Sequence, residues 1–224
     1  MKLPDVVLFD LDGTLIDSVP DLATALNRML SDLGRDHVEA ESIRNWVGEG
    51  SHILVHRTLT GSIEGRAEES LAVKAYVCFQ EHYADCCLQE TRIFDHAEAL
   101  IACLRSRGIR TGVVTNKPER HAIRLMEAWS DRLPMDVVIG EREDRPRKPD
   151  PAMLLEAMRL CKAATAWMVG DSDVDSQAAR AAETAFIGVR LGYNHGHDIA
   201  DTIPPPDKVF DELGSFLHWI QSLE

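Results

Sequence analysis

At 224 residues with 45% hydrophobic content, the chain is long enough to bury a substantial core without metal or disulfide scaffolding. Its 24 Lys and Arg against 37 Asp and Glu give a formal net charge of -13, which repels nucleic-acid backbones and anionic membrane surfaces and argues against either as a partner. The five cysteines, odd in number and with Cys86 and Cys87 adjacent, match neither a disulfide framework nor a Cys-x-x-Cys metal pair and read as free thiols in a reducing compartment.

Residues 6–9 (VVLF) are too few for a helix and are cut off by Asp-x-Asp-Gly-Thr, which predicts a parallel strand buried on both faces. Asp10 interrupts this run too early for a signal peptide, and no later stretch reaches ~18 apolar residues. The expectation is a cytoplasmic protein, complete as it stands. Residues 17–91 offer helical patterns at 21–33, 51–59 and 68–83 with no convincing strand between them. They read as an all-helical insertion, a cap of residues 17–91 on a core of 1–16 and 92–224, whose two ends must lie close to the first strand's carboxyl end.

From there strand and helix alternate. Helical patterns at 97–106, 119–129 and 152–161 separate apolar runs at 110–115, 137–140 and 166–170; 185–189 adds a strand and 212–223 a closing helix. Asp150 is a candidate cap and Pro151 a first helical residue for the third helix. The alternation predicts an α/β fold with a Rossmann-like parallel sheet wrapped on both faces.

Ligands of such sheets bind beyond the carboxyl ends of the strands. Those positions hold Asp10 and Asp12, then Thr115, Asn116 and Lys117, then Lys148, then Asp171 and Asp175. Crowded carboxylates call for a hard divalent cation such as Mg2+, and the added Lys and Thr suit a phosphoryl group shared with it. Asp10 can attack phosphorus to form an aspartyl-phosphate, and Asp12 can exchange protons with the leaving alkoxide and the attacking water. Gly13 permits a tight turn and close approach of backbone N–H groups to phosphate.

Asp10-Leu-Asp12-Gly13-Thr14, Thr115-Asn116-Lys117, Lys148-Pro149 and Gly170-Asp171-Ser172-Asp173-Val174-Asp175 resemble, in order, the four motifs of the haloacid dehalogenase superfamily. The resemblance implies Asp10 as nucleophile, Asp12 as general acid/base, and Thr115 and Lys148 as stabilisers of phosphate and intermediate. It also implies Mg2+ held by Asp10, the Asp12 carbonyl and Asp171, with Asp175 behind them. Asp12 favours phosphate-ester hydrolysis over dehalogenation, and Lys74, the single lysine of residues 17–91, has no pocket signature for Schiff-base chemistry.

The segment IRNWVGEGSHILVHRTL, residues 43–59, and the later GYNHG, residues 192–196, look like the phosphoglycolate phosphatase subgroup. Gly48 and Gly50 would fold that loop over the site, and Gly13 and Asn116 would help bind the phosphate. The implied substrate is a small phosphate ester such as 2-phosphoglycolate, the protein being a monomer or homodimer. Related caps serve sugar phosphates, including N-acetylmuramate 6-phosphate, and receiver-type signalling modules combine similar residues at about half this length.

Plainer readings stand beside these. Thr115-Asn116 and Asp175 each suit a helix cap, His195 and His197 a loop surface, and Arg142, Arg145 and Arg147 a solvated basic run. Arg44, Trp46 and Glu49 suit packing and surface charge. Glu183 stands where relatives of this superfamily usually have Gly, so it must accept a left-handed helix end.

Overall fold

The structure, a computed structural model, describes residues 1–223. It begins with β1 (Val6–Phe9), then β2 (Ile16–Asp17) and four helices: α1 (Val19–Asp32), α2 (Ala40–Arg44), α3 (Ser51–Thr60) and α4 (Glu69–Cys86). After β3 (Arg92–Ile93) the alternation runs α5 (Ala97–Ser106), β4 (Arg110–Pro118), α6 (Glu119–Ala128), β5 (Val137–Glu141), α7 (Ala152–Leu160), β6 (Ala166–Gly170), α8 (Asp173–Ala181) and β7 (Ala185–Val189). It closes with β8 (Lys208–Phe210) and α9 (Leu213–Ser222).

Six strands form one parallel sheet in the order β5-β4-β1-β6-β7-β8. All four residues of β1 are fully buried, as a central strand covered by helices on both faces requires. Alternation divides them: Val7 and Phe9 join Leu100, Ile101, Leu125 and Phe216 on the α5, α6 and α9 side, and Val6 and Leu8 join Met153, Leu154 and Ala178 on the α7 and α8 side. Each such burial contributes roughly 1.5–3 kcal/mol, so this strand is a rigid mount for the carboxylates at its end.

The helices α1 to α4 surround a separate apolar cluster that includes Leu26, Met29, Leu54, Phe79 and Tyr83. The chain enters and leaves this layer through a two-stranded antiparallel ribbon, Ile16 opposite Ile93 and Asp17 opposite Arg92. Two-residue strands carry too little periodicity to be seen in sequence, and the same holds for α2 and β8. The carboxylate of Asp21 buttresses the exit, accepting from the backbone N–H groups of Glu90 and Thr91, each at 2.9 Å.

Two local expectations need adjustment and a third holds. Asp150 does accept from the Ala152 N–H at 2.9 Å, yet Pro151 precedes the first helical residue. The basic run is not uniformly solvated: the Arg145 side chain is only 10% exposed and is held between Glu119 at 2.6 Å and Glu156 at 2.7 Å. The helix after the fourth motif ends with Glu183 at φ 55°, the left-handed conformation expected where Gly is missing.

Candidate active site

The carboxyl ends of β1, β4 and β6 bring their polar residues to one point beneath the helical layer. Asp10 continues β1, with its N–H donating to the Val169 carbonyl at 2.8 Å. Lys148 reaches the point from the segment after β5 and uses all three of its ammonium protons. Nζ donates to Asp10 Oδ1 at 2.8 Å, Asp175 Oδ1 at 2.6 Å and the Val114 carbonyl at 2.8 Å. Burial opposes the charge on Lys148, and Asp10 and Asp175 outweigh it, holding the ammonium above its ordinary range.

Asp171 is buried and fixed by its neighbours. Thr14 Oγ1 donates to its Oδ1 at 2.8 Å, and the Tyr193 N–H to its Oδ2 at 2.9 Å. Two glycines make room: a Cβ on Gly13, at φ 90°, would come within 2.6 Å of Asp171 Oδ2, and one on Gly192 within 1.8 Å. Any side chain at either position would therefore displace this carboxylate.

Asp175 belongs to a capping box at the start of α8, accepting from Ser172 Oγ at 2.7 Å and Ser172 N–H at 3.2 Å. The cap reading and the site reading of this residue are thus both realised by different oxygens of one carboxylate. Oxygens of Asp10, Asp171 and Asp175 all lie within 4.8 Å of one another.

Three buried carboxylates face one ammonium, and the imbalance shows at Asp10 and Asp171. Burial pushes Asp10 up to about 6, with Asp175 and Asp12 adding repulsion against the pull of Lys148. Burial, Asp10 and Asp175 raise Asp171 well above the usual carboxylate range. This oxygen-only, over-negative donor set fits a hard divalent cation.

The side chain of Asp12 points elsewhere. Both its oxygens accept from Lys117 Nζ at 2.9 Å, and Oδ1 also accepts from Ser18 Oγ at 2.5 Å. Lys117 is buried, and its ammonium also lies 4.7 Å from the centre of the Tyr83 ring. Sequence reasoning marks Lys117 without assigning it a partner; the two residues are 105 apart in the chain, and no local signal joins them.

Thr115 Oγ1 accepts from the Lys117 N–H at 3.2 Å, leaving its own proton free to donate. Asn116 is less free than a phosphate-binding residue would be. Its amide clamps the Lys148 backbone, donating to the carbonyl at 3.0 Å and accepting from the N–H at 2.9 Å.

Above Asp10 and Asp12 lies a narrow pocket closed by the helical layer, through Gly48, Gly50, Ser51, Leu54, Phe79, Gln80 and Tyr83. Gly48 and Gly50 take φ of 132° and 91°, so the loop they shape needs glycine at both. His121, on α6, is buried; its Nε2 stands 2.7 Å from Gln80 Oε1, which also accepts from Arg120 at 2.8 Å. Burial and the neighbouring Lys117, Arg120 and Arg124 push His121 down to about 3, so it is neutral. Among the described residues, the Tyr83 hydroxyl is buried without a hydrogen-bond partner. Gln80, Tyr83 and His121 do not stand out in sequence, because amphipathic helices carry such residues routinely.

The loop 192–196 ties the helical layer to the core. Tyr193 Oη donates to Asp17 Oδ1 at 2.7 Å, and Arg44 donates to Asp17 Oδ2 at 3.1 Å while lying over the Tyr193 ring. His195 is not a free surface residue: its Nδ1 is 2.8 Å from the Asn45 carbonyl and its Nε2 is 3.5 Å from Glu49 Oε1. Glu49 also pairs with the buried Arg57, and Trp46 is buried in the helical cluster.

Among the described residues, no helix is long and apolar enough to cross a membrane. The sequence profile described as haloacid dehalogenase-like hydrolase matches residues 4–183. A phosphoglycolate phosphatase of Pseudomonas putida is 39% identical over 96% of this chain and 79% of its own length. One of Colwellia psychrerythraea is 38% identical over 97% of this chain and 98% of its own. The crystal structure of a protein described as a predicted phosphoglycolate phosphatase from Haemophilus somnus superposes with a TM-score of 0.87 at 27% identity, covering 98% of this chain and 99% of that one. Four motifs meeting at one sheet edge, the matching profile and these relatives agree, and the chain belongs to the haloacid dehalogenase-like hydrolases.

Proposed function

We propose that the protein is a Mg2+-dependent phosphomonoester phosphatase that works through an aspartyl-phosphate, with 2-phosphoglycolate as its substrate. The observation that carries the reading is Lys148 bridging Asp10 and Asp175 beside Asp171, under a narrow pocket walled by the helical layer. A carboxylate fixed by an ammonium can face a phosphoryl group without being driven off by its charge.

Asp10, the Asp12 carbonyl and Asp171 would hold the cation, which when bound neutralises charge on the phosphate and the carboxylates. An Asp10 oxygen forms a bond to phosphorus as the ester bond breaks, and the departing alkoxide takes a proton from Asp12. In the second step Asp12 takes a proton from water, whose oxygen displaces Asp10 from phosphorus. To do either, Asp12 must release contacts to Lys117 and Ser18 that it makes in this structure. The free proton of Thr115 Oγ1 can donate to a phosphoryl oxygen, and the Lys148 ammonium, its protons held by Asp10, Asp175 and the Val114 carbonyl, offsets negative charge from beside the nucleophile.

The pocket supports a short leaving group. Apolar Leu54 and Phe79 limit its size, while Ser51, at the start of α3, and the unpartnered Tyr83 hydroxyl can serve a carboxylate. The names of the relatives from Pseudomonas putida and Colwellia psychrerythraea support the same substrate.

Release of inorganic phosphate is to be measured with Mg2+ from 2-phosphoglycolate, p-nitrophenyl phosphate, hexose phosphates and N-acetylmuramate 6-phosphate. The expected ranking puts 2-phosphoglycolate first, by at least about tenfold in kcat/KM. Preference for a hexose phosphate would remove the substrate and keep the mechanism; no turnover of any ester would remove the enzyme. Asp10→Asn should abolish turnover with an unchanged circular-dichroism spectrum, and normal activity in that variant would exclude the covalent route.

A further inference from the structure

The helical layer carries a second group of ligand-type side chains, away from the pocket. Cys78 and His82 stand four residues apart on α4, hence on one face, and Asp32 meets them from the last turn of α1. Asp32 Oδ2 lies 2.7 Å from His82 Nε2 and 3.4 Å from Cys78 Sγ, and the three ligand atoms are all within 4.8 Å of one another.

We propose that Asp32, Cys78 and His82 form a binding site for a borderline-soft divalent cation, with Zn2+ the best match. The donor set is the reason. One thiolate, one imidazole and one carboxylate give the mixed sulfur, nitrogen and oxygen shell that Zn2+ takes, while Mg2+ prefers oxygen alone. The carboxylate and thiolate together cancel the two charges of the ion.

Size agrees as well. Tetrahedral Zn2+ with ordinary bond lengths separates its ligand atoms by about 3.3–3.7 Å. The oxygen and sulfur already have that spacing, and the oxygen and nitrogen need only part by under about 1 Å, within reach of a χ adjustment. The Asp32 side chain is 57% exposed, so water can complete the fourth position.

The proton balance follows from the contacts. Binding breaks the Cys78 S–H bond, forms the sulfur–metal bond and releases that proton to solvent. His82 binds through the Nε2 lone pair, so a proton on that nitrogen must move to Nδ1 or to solvent. A free thiol is protonated near neutral pH and must lose that proton to bind the ion. Affinity should therefore rise with pH.

The ion would pin α1 to α4. Gln80 and Tyr83 line the pocket from α4, and Cys78 and His82 are centred about 150° around the same helix. The site is thus distinct from the acidic centre but shares a helix with the pocket wall.

The test is a Co2+ titration of the full chain in saturating Mg2+, which keeps the acidic centre occupied, followed by Zn2+ competition. A thiolate-to-cobalt charge-transfer band should appear with one ion per chain and vanish as Zn2+ replaces it, releasing about one proton in wild type at neutral pH. The band should be lost in Cys78→Ser, weaken at least about tenfold in apparent affinity in His82→Ala, and persist in Asp10→Asn. Cys78→Ser should keep wild-type phosphatase activity, which shows that it folds, while losing the rise in Tm that Zn2+ gives the wild type. No band, or the same band in Cys78→Ser, would overturn the proposal.

Discussion

The two walls of the pocket solve different problems. On the core side each of Asp10, Asp12, Lys117, Lys148, Asp171 and Asp175 is bound by named partners across strand ends. On the helical side Leu54 and Phe79 are apolar and the Tyr83 hydroxyl is left unpaired. Charges buried in one wall cannot be changed singly without leaving another uncompensated, whereas the spare hydroxyl of the other wall can be removed at little cost to the fold. Chemistry and selection are therefore separable by mutation.

The largest break in this contrast should come from Lys148→Ala. It strands Asp10 and Asp175 and should cost about 3–5 kcal/mol of stability in denaturant unfolding, with turnover lost. Asp12→Asn comes next. Phosphorylation of Asp10 and hydrolysis of the phospho-enzyme should both slow by about 10²–10⁴-fold in quenched-flow assays, with a stability cost smaller than that of Lys148→Ala because one buried charge, Lys117, rather than two loses its partner. An unaffected rate would remove its proton-transfer role.

Tyr83→Phe sharpens the contrast from the other wall. Removing a buried, unsatisfied hydroxyl should leave Tm equal or higher, while kcat/KM for 2-phosphoglycolate falls about tenfold and that for p-nitrophenyl phosphate holds. A parallel fall for both esters would place the hydroxyl outside leaving-group recognition.

The smallest effect belongs to His195→Ala, at the seam between the walls. The hydrogen bond to Glu49 raises His195 above its ordinary 6.5, and the hydrogen bond from His195, against burial and aided by Arg57, takes Glu49 down to about 2. The His195 contribution is complete below its unfolded value and lost as pH rises through the folded one; that of Glu49 is complete above 4.5 and lost as pH falls toward 2. The Tm difference between wild type and variant should therefore be greatest between about pH 4.5 and 6.5 and shrink on either side. Because the Glu49 side chain is 37% exposed, it should stay within about 1 kcal/mol.

Much of the core was legible because it rests on short-range rules. The runs at 6–9, 166–170 and 185–189 coincide with strands, since a buried parallel strand must be apolar throughout. Asp10, Thr115, Lys148 and Asp171 were readable because each directly follows an apolar run or lies in a compact motif. Thr14, inside the first motif, is the residue of that motif whose hydroxyl holds Asp171.

The partner of Asp12 was hidden for another reason. Lys117 is its neighbour only once β1 and β4 pair, and sequence reasoning had no means to choose between that ion pair and a lysine held for substrate. The same holds for Gln80 with His121, where an ordinary helix face becomes a pocket wall through tertiary packing alone. His195 looks like surface in the sequence because its contacts with Asn45 and Glu49 come from a distant segment across the seam.

Tyr193 combines three attachments in one residue: its N–H on Asp171, its hydroxyl on Asp17 and its ring beneath Arg44. Asp17 lies on the ribbon through which the chain enters the helical layer, so any swing of that layer about the ribbon begins at this hydroxyl. Such a swing must either snap the Tyr193–Asp17 bond or pull on the backbone that positions Asp171. One tyrosine thus acts as a tether of fixed length, by which the attitude of the lid is felt at a carboxylate on the opposite side of the seam.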